Sequence, residues 1–448
     1  MAKSTPQTGG TGAWDQLVGL IGRGPGGYVF LSIYTLVTSL LLLLNPRTNL
    51  FTDIVFILFL LLILAIYRTK VHVGFKIALG VITLGFVMPY FGTLNPYYID
   101  VATQAGIFAT LAMGLNVVVG FAGLLDLGYV AFYAVGAYLW SIFSTPQVGL
   151  MISGATPIPS GWFYGFILLG LTVGGVFGVL LGLPVLRLRG DYLAIVTLGF
   201  GEVIRVLAVN LDKPLNITNG AQGIKDIERP PLFFADPLRA IFSSFGRQLD
   251  NNQLYQIFFY FMVLVVVLIT ILIVSRLKNS RIGRAWTAIR EDETAAIAQG
   301  IPLVRMKLMA FAVGASFAGA MGVIFASKQL FINPPTFDLL RSIGILTMVI
   351  LGGLGNIPGV ILGAVLVTLL DLQILPRIAE ILRSAQKAGW PIPSAFDPTQ
   401  YQRLLFGLLM ILMMIFRPEG ILPEDRRRQE LHEEDEEIVE DAAEAEAA

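Results

Sequence analysis

The chain contains no cysteine and only two histidines, His72 and His432, among 448 residues. Disulfides and thiolate chemistry are therefore excluded, and two imidazoles so far apart in sequence do not suggest a histidine metal site. No G-x-x-x-x-G-K-[ST] string occurs, so the chain has no P-loop and is not expected to hydrolyse ATP itself. HExxH, GxSxG and CxxC are missing as well. Carboxylates within the apolar runs are too few to suggest a proteolytic or proton-pumping dyad. Charge is scarce throughout: 14% of residues are charged, against about 25% in a soluble domain. The polar N-terminal stretch has no basic region leading directly into an apolar one, so no cleaved signal peptide is expected. These absences describe a conduit rather than an enzyme.

Apolar sequence is what the chain has in abundance. Hydrophobic residues make up 55% and the mean hydropathy is +0.73, which predicts an all-α polytopic membrane protein. Runs long enough to cross a bilayer, or nearly so, lie at Tyr28–Leu44, Phe51–Tyr67, Phe75–Phe91, Val101–Gly120, Leu127–Ser144 and Trp162–Leu186. The second half adds Tyr192–Val209, Leu254–Ser275, Val304–Ala326, Ser342–Leu354, Gly359–Leu375 and Leu404–Phe416. That gives 11 to 12 segments, of which 192–209, 342–354 and 359–375 carry the weakest signal. The shorter ones fall below the roughly 20 residues of a full crossing and are expected to be re-entrant or broken.

With the N-terminus inside, alternate loops carry Arg68, Lys70 and Lys76, then Arg187 and Arg189, then the basic cluster 276–307, then Arg417. The short opposite loops 92–100 and 145–161 carry no basic residue. This bias places both termini in the cytoplasm. It divides the chain into a cytoplasmic tail 1–27, membrane segments 28–94 and a core 95–422. The core has an outer loop 210–253 and a cytoplasmic loop 276–303. The outer loop, with its NGAQG and ERPP punctuation, reads as turns rather than helix. It either presents surface to a partner or caps the bundle as a solvated linker. The zero formal charge conceals an asymmetry: 12 of the 31 acids fall in the terminal segment from Glu424 onward. That segment, 423–448, reads as a disordered acidic tail.

Between two apolar runs, residues 276–301 form the longest strongly charged interruption of the second half, RLKNSRIGRAWTAIREDETAAIAQGI. Ile282, Trp286 and Ile289 recur at helical spacing. The acids Glu291 to Glu293 suit the start of a second short helix, and Gly300 suits its end. An apolar face on such a pair needs a surface to cover it.

Glycines concentrate inside apolar runs, where they allow helix backbones to approach closely. The run Asn116, Gly120, Gly123, Asp126, Gly128 and Gly136 has a later counterpart in Gly352, Gly353, Gly355 and Gly363. The spacing from Gly128 to Gly136 equals that from Gly355 to Gly363, which suggests a two-halved bundle broken at matching places. Helix packing alone also accounts for most of these glycines. Glu202 and Arg205 share a helix face within an apolar run. An unpaired arginine there would cost about 2.5–3.5 kcal/mol. We therefore expect a mutual pair facing the bundle interior, either a buried clamp or, functionally, a polar gate or proton relay. Asn116 and Asp126 are further candidates to line a path, although Asp126 lies near a predicted membrane edge where water reaches it.

Four strings together resemble a known family: GLNVVVGFAGLLDLGYVAFYAVGAYL (114–139), RLRGDYLAIVTLGFGEVIRVLAVN (187–210), RIGRAWTAIREDETAAIAQGI (281–301) and LTMVILGGLGNIPGVILGA (346–364), with FRPEGIL (416–422) closing the region. The resemblance covers residues 95–425 or thereabouts and is to the permease subunits of bacterial ABC importers for branched-chain amino acids, the LivM-like branch. It implies an inner-membrane, two-halved permease that binds no cofactor and no nucleic acid. Its partners would be a second homologous permease, two cytoplasmic P-loop ATPases that hydrolyse the ATP, and a periplasmic amino-acid-binding protein. It also implies that 281–301 docks into the ATPase, through Arg281, Arg284, Trp286, Glu293, Ala295, Ala296 and Gly300. The family pattern there is EAA-x3-G. Here the Ala-Ala and Gly are in register and the Glu is displaced by one, which puts a specific role for Glu293 in question. The path or gate would be formed by Asn116, Gly120, Gly123, Asp126, Gly128, Glu202, Arg205, Gly352, Gly353 and Gly355. The alternative is a stand-alone proton-coupled secondary amino-acid transporter using Glu202 or Asp126.

Overall fold

The computed structural model describes residues 25–69, 71–152, 154–185, 191–233, 235–244, 246–388, 401–416 and 419–422. Lys70, Arg187, Arg189, Arg417, the start of the chain and the acidic tail lie outside the described residues. The chain divides into two compact units, residues 1–100 with 241–257 and residues 101–240 with 258–448.

The first unit contains α1 (Pro25–Leu44), α2 (Leu50–Leu60), α3 (Leu62–Arg68), α4 (Val73–Ile82) and α5 (Met88–Leu94), with a π turn at Thr83–Val87 joining the last two. Asn49 starts α2 by accepting from the Thr52 N–H, one of the orphan donors that every helix start exposes. Leu31, Leu62 and Leu79 form a small core. The one carboxylate within these helices, Asp53, is buried and accepts the Tyr98 hydroxyl at 2.7 Å. Ile33, Leu36, Ile77 and Phe86 point outward, as side chains facing hydrocarbon do.

The second unit is arranged around α13. Its main helices are α6 (Pro96–Asn116), α7 (Val130–Ser144), α8 (Phe163–Val185), α9 (Asp191–Asn210), α10 (Asn251–Lys278), α11 (Arg281–Glu291), α12 (Glu293–Ala298), α13 (Leu303–Gln329), α14 (Leu339–Gly352), α15 (Ile357–Leu369), α16 (Leu375–Lys387) and α17 (Gln402–Phe416), of which α6 and α10 begin in the first unit. Among the described residues, ten helices are long and apolar enough to cross a membrane, with Val130–Ser144 shorter and the 15-residue α17 a twelfth apolar helix. Each of the twelve predicted segments thus falls mainly on a helix of the described residues. All three weak ones prove long enough to cross: Tyr192–Asn210 and Pro334–Gly352, of 19 residues each, and the 31-residue stretch Ile357–Lys387.

Glycine permits the packing. A Cβ on Gly136 of α7 would overlap the Gly319 backbone of α13, and one on Gly319 would overlap the Gly170 carbonyl of α8. Gly174 and Gly178 repeat the close approach: a Cβ there would lie 2.5 and 2.6 Å from the Ala315 and Phe311 carbonyl oxygens. Three backbones therefore meet at Gly319, which no residue with a side chain could allow.

The apolar sequence breaks twice, at 122–129 after α6 and at 353–356 after α14. Each break holds glycine at positive φ: Gly123 at 68° in the first, Gly353 at 113° and Gly355 at 81° in the second. Gly128 and Gly355, the two glycines from which the equal spacing was counted, each lie in one of these non-helical breaks. The 210–253 loop corrects the expectation of turns alone. Asn219, Gly220 and Gly223 do turn with positive φ, but Ala235–Ser244 is helical, because its apolar residues recur at helical spacing. Ile224–Lys225 also pairs antiparallel with Phe331–Ile332.

Gly319→Val should lower the stability of the detergent-solubilised protein by about 1–3 kcal/mol. Gly344→Ala, with nothing within 4 Å of the added Cβ, should be neutral or stabilising by up to about 1 kcal/mol. Thermal unfolding measures both.

Candidate functional site

The helix pair α11 and α12 forms because each start has a donor-satisfying side chain. Ser280 accepts from the N–H groups of Ile282 and Gly283. Asp292 does the same for Thr294 and Ala295, at 2.6 and 3.0 Å. Gly300, at φ 80°, lets the chain turn out of α12, and the Ile301 N–H bonds back to the Ala296 carbonyl. The two helices and the terminating glycine match the sequence reading, which did not single out Asp292 as the cap.

Which side chains face outward differs from that reading. Trp286 is fully buried and Ile289 nearly so, and the indole Nε1 donates to the Met306 carbonyl at 2.8 Å. The apolar face of α11 is thus covered by this chain's own α13 and is not free to fill a groove elsewhere. Ala296 is buried too. Glu293 pairs with Lys307 of α13 at 2.5 Å, an internal tie. Outward remain Arg281, Arg284, Ala295 and Gly300, together with Ile297, which is half exposed. Ile297 carried no sequence signal beyond its place in the Ala run.

Asn116 joins the two breaks. It is fully buried, and its Oδ1 accepts the Gly355 N–H at 2.9 Å, while its Nδ2 has no partner among the described residues. Gly120 lies in the π turn Val117–Phe121, with the Gly355 backbone nitrogen 2.7 Å from where its Cβ would be. Arg290, at the end of α11, donates to the Gly120 carbonyl at 2.8 Å, and its stem lies against Gly123. Lys278, the last residue of α10, donates to the Gly355 carbonyl at 2.9 Å and stands over the Phe121 ring. Gly352 and Gly353 pack against Gly359 and Leu422, and the Leu422 N–H bonds the Gly352 carbonyl at 3.1 Å. Of the glycines named from sequence, Gly120, Gly128, Gly352, Gly353 and Gly355 are all buried.

Asp126 corrects the expectation of a hydrated carboxylate. It is 1% exposed; Oδ1 accepts the Gly128 N–H at 2.9 Å, and Oδ2 has no partner among the described residues. The break folds its loop inward, so nearness in sequence to a span end does not bring water. Beyond it, the Leu127 N–H donates to Thr197 Oγ1 of α9, and Gly128 packs on the backbone of Thr197 and Gly201. The first break therefore rests on α9 directly beside Glu202.

Glu202 and Arg205 do pair: Arg205 Nε lies 2.9 and 3.0 Å from the two carboxylate oxygens, and Nη2 also donates to Oε1. The expected burial is overturned. The side chains are 46% and 32% exposed, on a span, Tyr192–Asn210, whose Tyr192, Ile195 and Val203 are exposed too. An i, i+3 pair satisfies its own charges on one helix, so pairing requires no second helix of this chain.

A helical bundle of this kind, with ten described helices long and apolar enough to cross a membrane, is that of a polytopic membrane protein. The profile of the family described as branched-chain amino acid transport system / permease component matches residues 97–414, and the chain belongs to that family. It is 41% identical over 341 residues to a high-affinity branched-chain amino acid transport system permease protein LivM of Salmonella typhimurium, covering 74% of this chain and 72% of the relative. The LivM of Escherichia coli is 40% identical over the same shares. The chain is also 25% identical to the LivH permease of Escherichia coli, over 71% of this chain and 92% of that one. No solved structure matches.

Trp286→Ala should destabilise the purified chain by about 3–5 kcal/mol, whereas Ile297→Ala should stay within about 0.5 kcal/mol. Thermal unfolding of both in detergent checks which face of the pair is structural.

Proposed function

We propose that this chain is one permease of an ATP-driven importer for branched-chain or other neutral amino acids, and that it works with a second homologous permease, two cytoplasmic P-loop ATPases and a periplasmic binding protein. The observation that carries the reading is how α11 and α12 are held. Trp286, Ile289, Ala296 and the Glu293–Lys307 pair fix the helices to α13 from within. A rigid outward surface of Ala295, Ile297, Gly300, Arg281 and Arg284 is left. Small residues on a rigid helix suit close docking into a partner's groove. A chain lacking a P-loop needs such a partner to use ATP; it binds no cofactor of its own, and the ATP is hydrolysed by the partner subunits.

The exposed Glu202–Arg205 pair supports the further reading that the chain forms half of a path. Charges within an apolar span are costly against lipid and are tolerated against protein or water, so this face of α9 belongs to the contact with the second permease and to the path between them. The likeness to both LivM and LivH relatives agrees with a pair of related permeases. The glycine breaks, with Asp126 inside the first and Asn116 bridging from α6 to the second, serve as the gate at the ATPase end. In this reading the protein resides in the bacterial inner membrane with both termini cytoplasmic and its outer helix faces in the lipid bilayer.

Reconstitution tests it. Leucine uptake into proteoliposomes should require ATP, the binding protein and the ATPases, and should withstand an uncoupler. Uptake by the chain alone that an uncoupler collapses would instead establish a secondary transporter, in which the buried Asp126 carries the proton. Ala295→Arg should abolish ATP-driven uptake while leaving the chain inserted and folded; unchanged uptake would show that α12 is not a docking element.

A further inference from the structure

Two cations outside the docking surface have a geometry that docking does not explain. Lys278 ends α10 immediately before α11 begins, and Arg290 lies in the last turn of α11, so they flank the helix at its two ends. Neither forms the outward surface. Lys278 donates to the Gly355 carbonyl in one break and Arg290 to the Gly120 carbonyl beside the other, at 2.9 and 2.8 Å. Backbone carbonyls at a helix end or in a break lack ladder partners, and cationic donors satisfy them better than neutral ones. Asn116 closes the circuit by joining the Gly120 turn to the Gly355 N–H. From the first break, the chain rests through Gly128 on Gly201, the neighbour of Glu202.

We propose that Lys278 and Arg290 are positioning residues for transport. Each holds one break by its carbonyl, so that a displacement of α11 moves both breaks together and, through Gly128 on Gly201, the Glu202–Arg205 face of α9. The inference rests on the ATP-driven reading above, and adds to it that the ATPase displaces α11 and α12 as one body with the start of α13 to which they are tied. It assigns the transmission to two named hydrogen bonds rather than to general packing. Trp286 then keeps α11 rigid along its length while the cations at its ends grip the breaks.

The test uses the complete importer, this chain with its second permease, ATPases and binding protein, in proteoliposomes with radiolabelled leucine. Lys278→Met and Arg290→Gln remove the charge while keeping an unbranched, somewhat shorter stem. In each, leucine moved per ATP hydrolysed should fall by about tenfold, the range of one lost charge-assisted hydrogen bond. Co-purification of the ATPase and the hydrolysis rate should stay within about twofold of the unaltered importer. Arg290→Lys should recover part of the ratio, because it retains a cationic donor but not the guanidinium fork. If both neutral variants transport with an unchanged leucine-to-ATP ratio, the contacts are packing only and the inference is overturned. A parallel loss of ATPase binding and uptake overturns it too, because the cations would then act in docking. Should Arg290→Gln fail to assemble, Lys278→Met alone decides by the same ratio. An unaltered importer whose uptake ignores ATP would refute the proposed function instead, and that result is read before any variant is made.

Discussion

The structure depends first on a backbone contact that only glycine permits. At Gly319, α13 touches α7 through Gly136 and α8 through Gly170. In a bilayer no hydrophobic force separates helix from lipid, so close van der Waals contact between backbones supplies much of the association. Each of these glycines lowers helix propensity. That weakness is offset where the neighbour arrives at carbonyl distance and three helices lock at one point. The crossing makes α13 the fixed reference of the unit, and the functional elements are mounted on it.

Because α13 begins directly after α12, the same helix that forms the hub also carries the docking pair. The indole of Trp286 is tied to Met306 and Glu293 to Lys307, both in the first turns of α13. The exposed surface of the pair is thereby held against a stable bundle rather than a loose loop. The breaks differ in kind. They are the places where the helical ladder stops, and side chains from elsewhere complete their backbone hydrogen bonding: Asn116, Lys278, Arg290 and, at Leu422, the end of the described chain. A bundle with one glycine-locked hub and two side-chain-held breaks has a rigid part and a part able to move.

Much of the fold was legible because a bilayer enforces it. Apolar length predicts spans, and every predicted segment falls mainly on a helix. Glycine spacing pointed to the paired breaks, and Gly300 to the end of α12. What the sequence could not convey was orientation. Trp286 and Ile297 are both apolar residues on short helices, and only the position of α13 decides that one is buried and the other exposed. Glu202 and Arg205 were recognised as a pair from their spacing, yet an i, i+3 pair looks the same whether it faces inward or outward. Asp126 lies near a span end, a position that predicts contact with water, whereas the break folds it into the protein. Lys278 and Arg290 stood out only as part of a basic cluster; their carbonyl partners, 77 and 170 residues away in sequence, lie beyond any local pattern.

The central claim is that the outward face of α12 seats an ATPase, and the lack of cysteine in this chain gives it a direct test. Ala295→Cys in the assembled importer creates a single reactive thiol on that face, with Leu36→Cys, on the exposed apolar side of α1, as the control. A short bifunctional thiol-to-amine crosslinker should join the Ala295→Cys chain to the ATPase subunit and leave the control unlinked. An intact, ATP-hydrolysing complex in which Ala295→Cys forms no link to the ATPase would contradict the account.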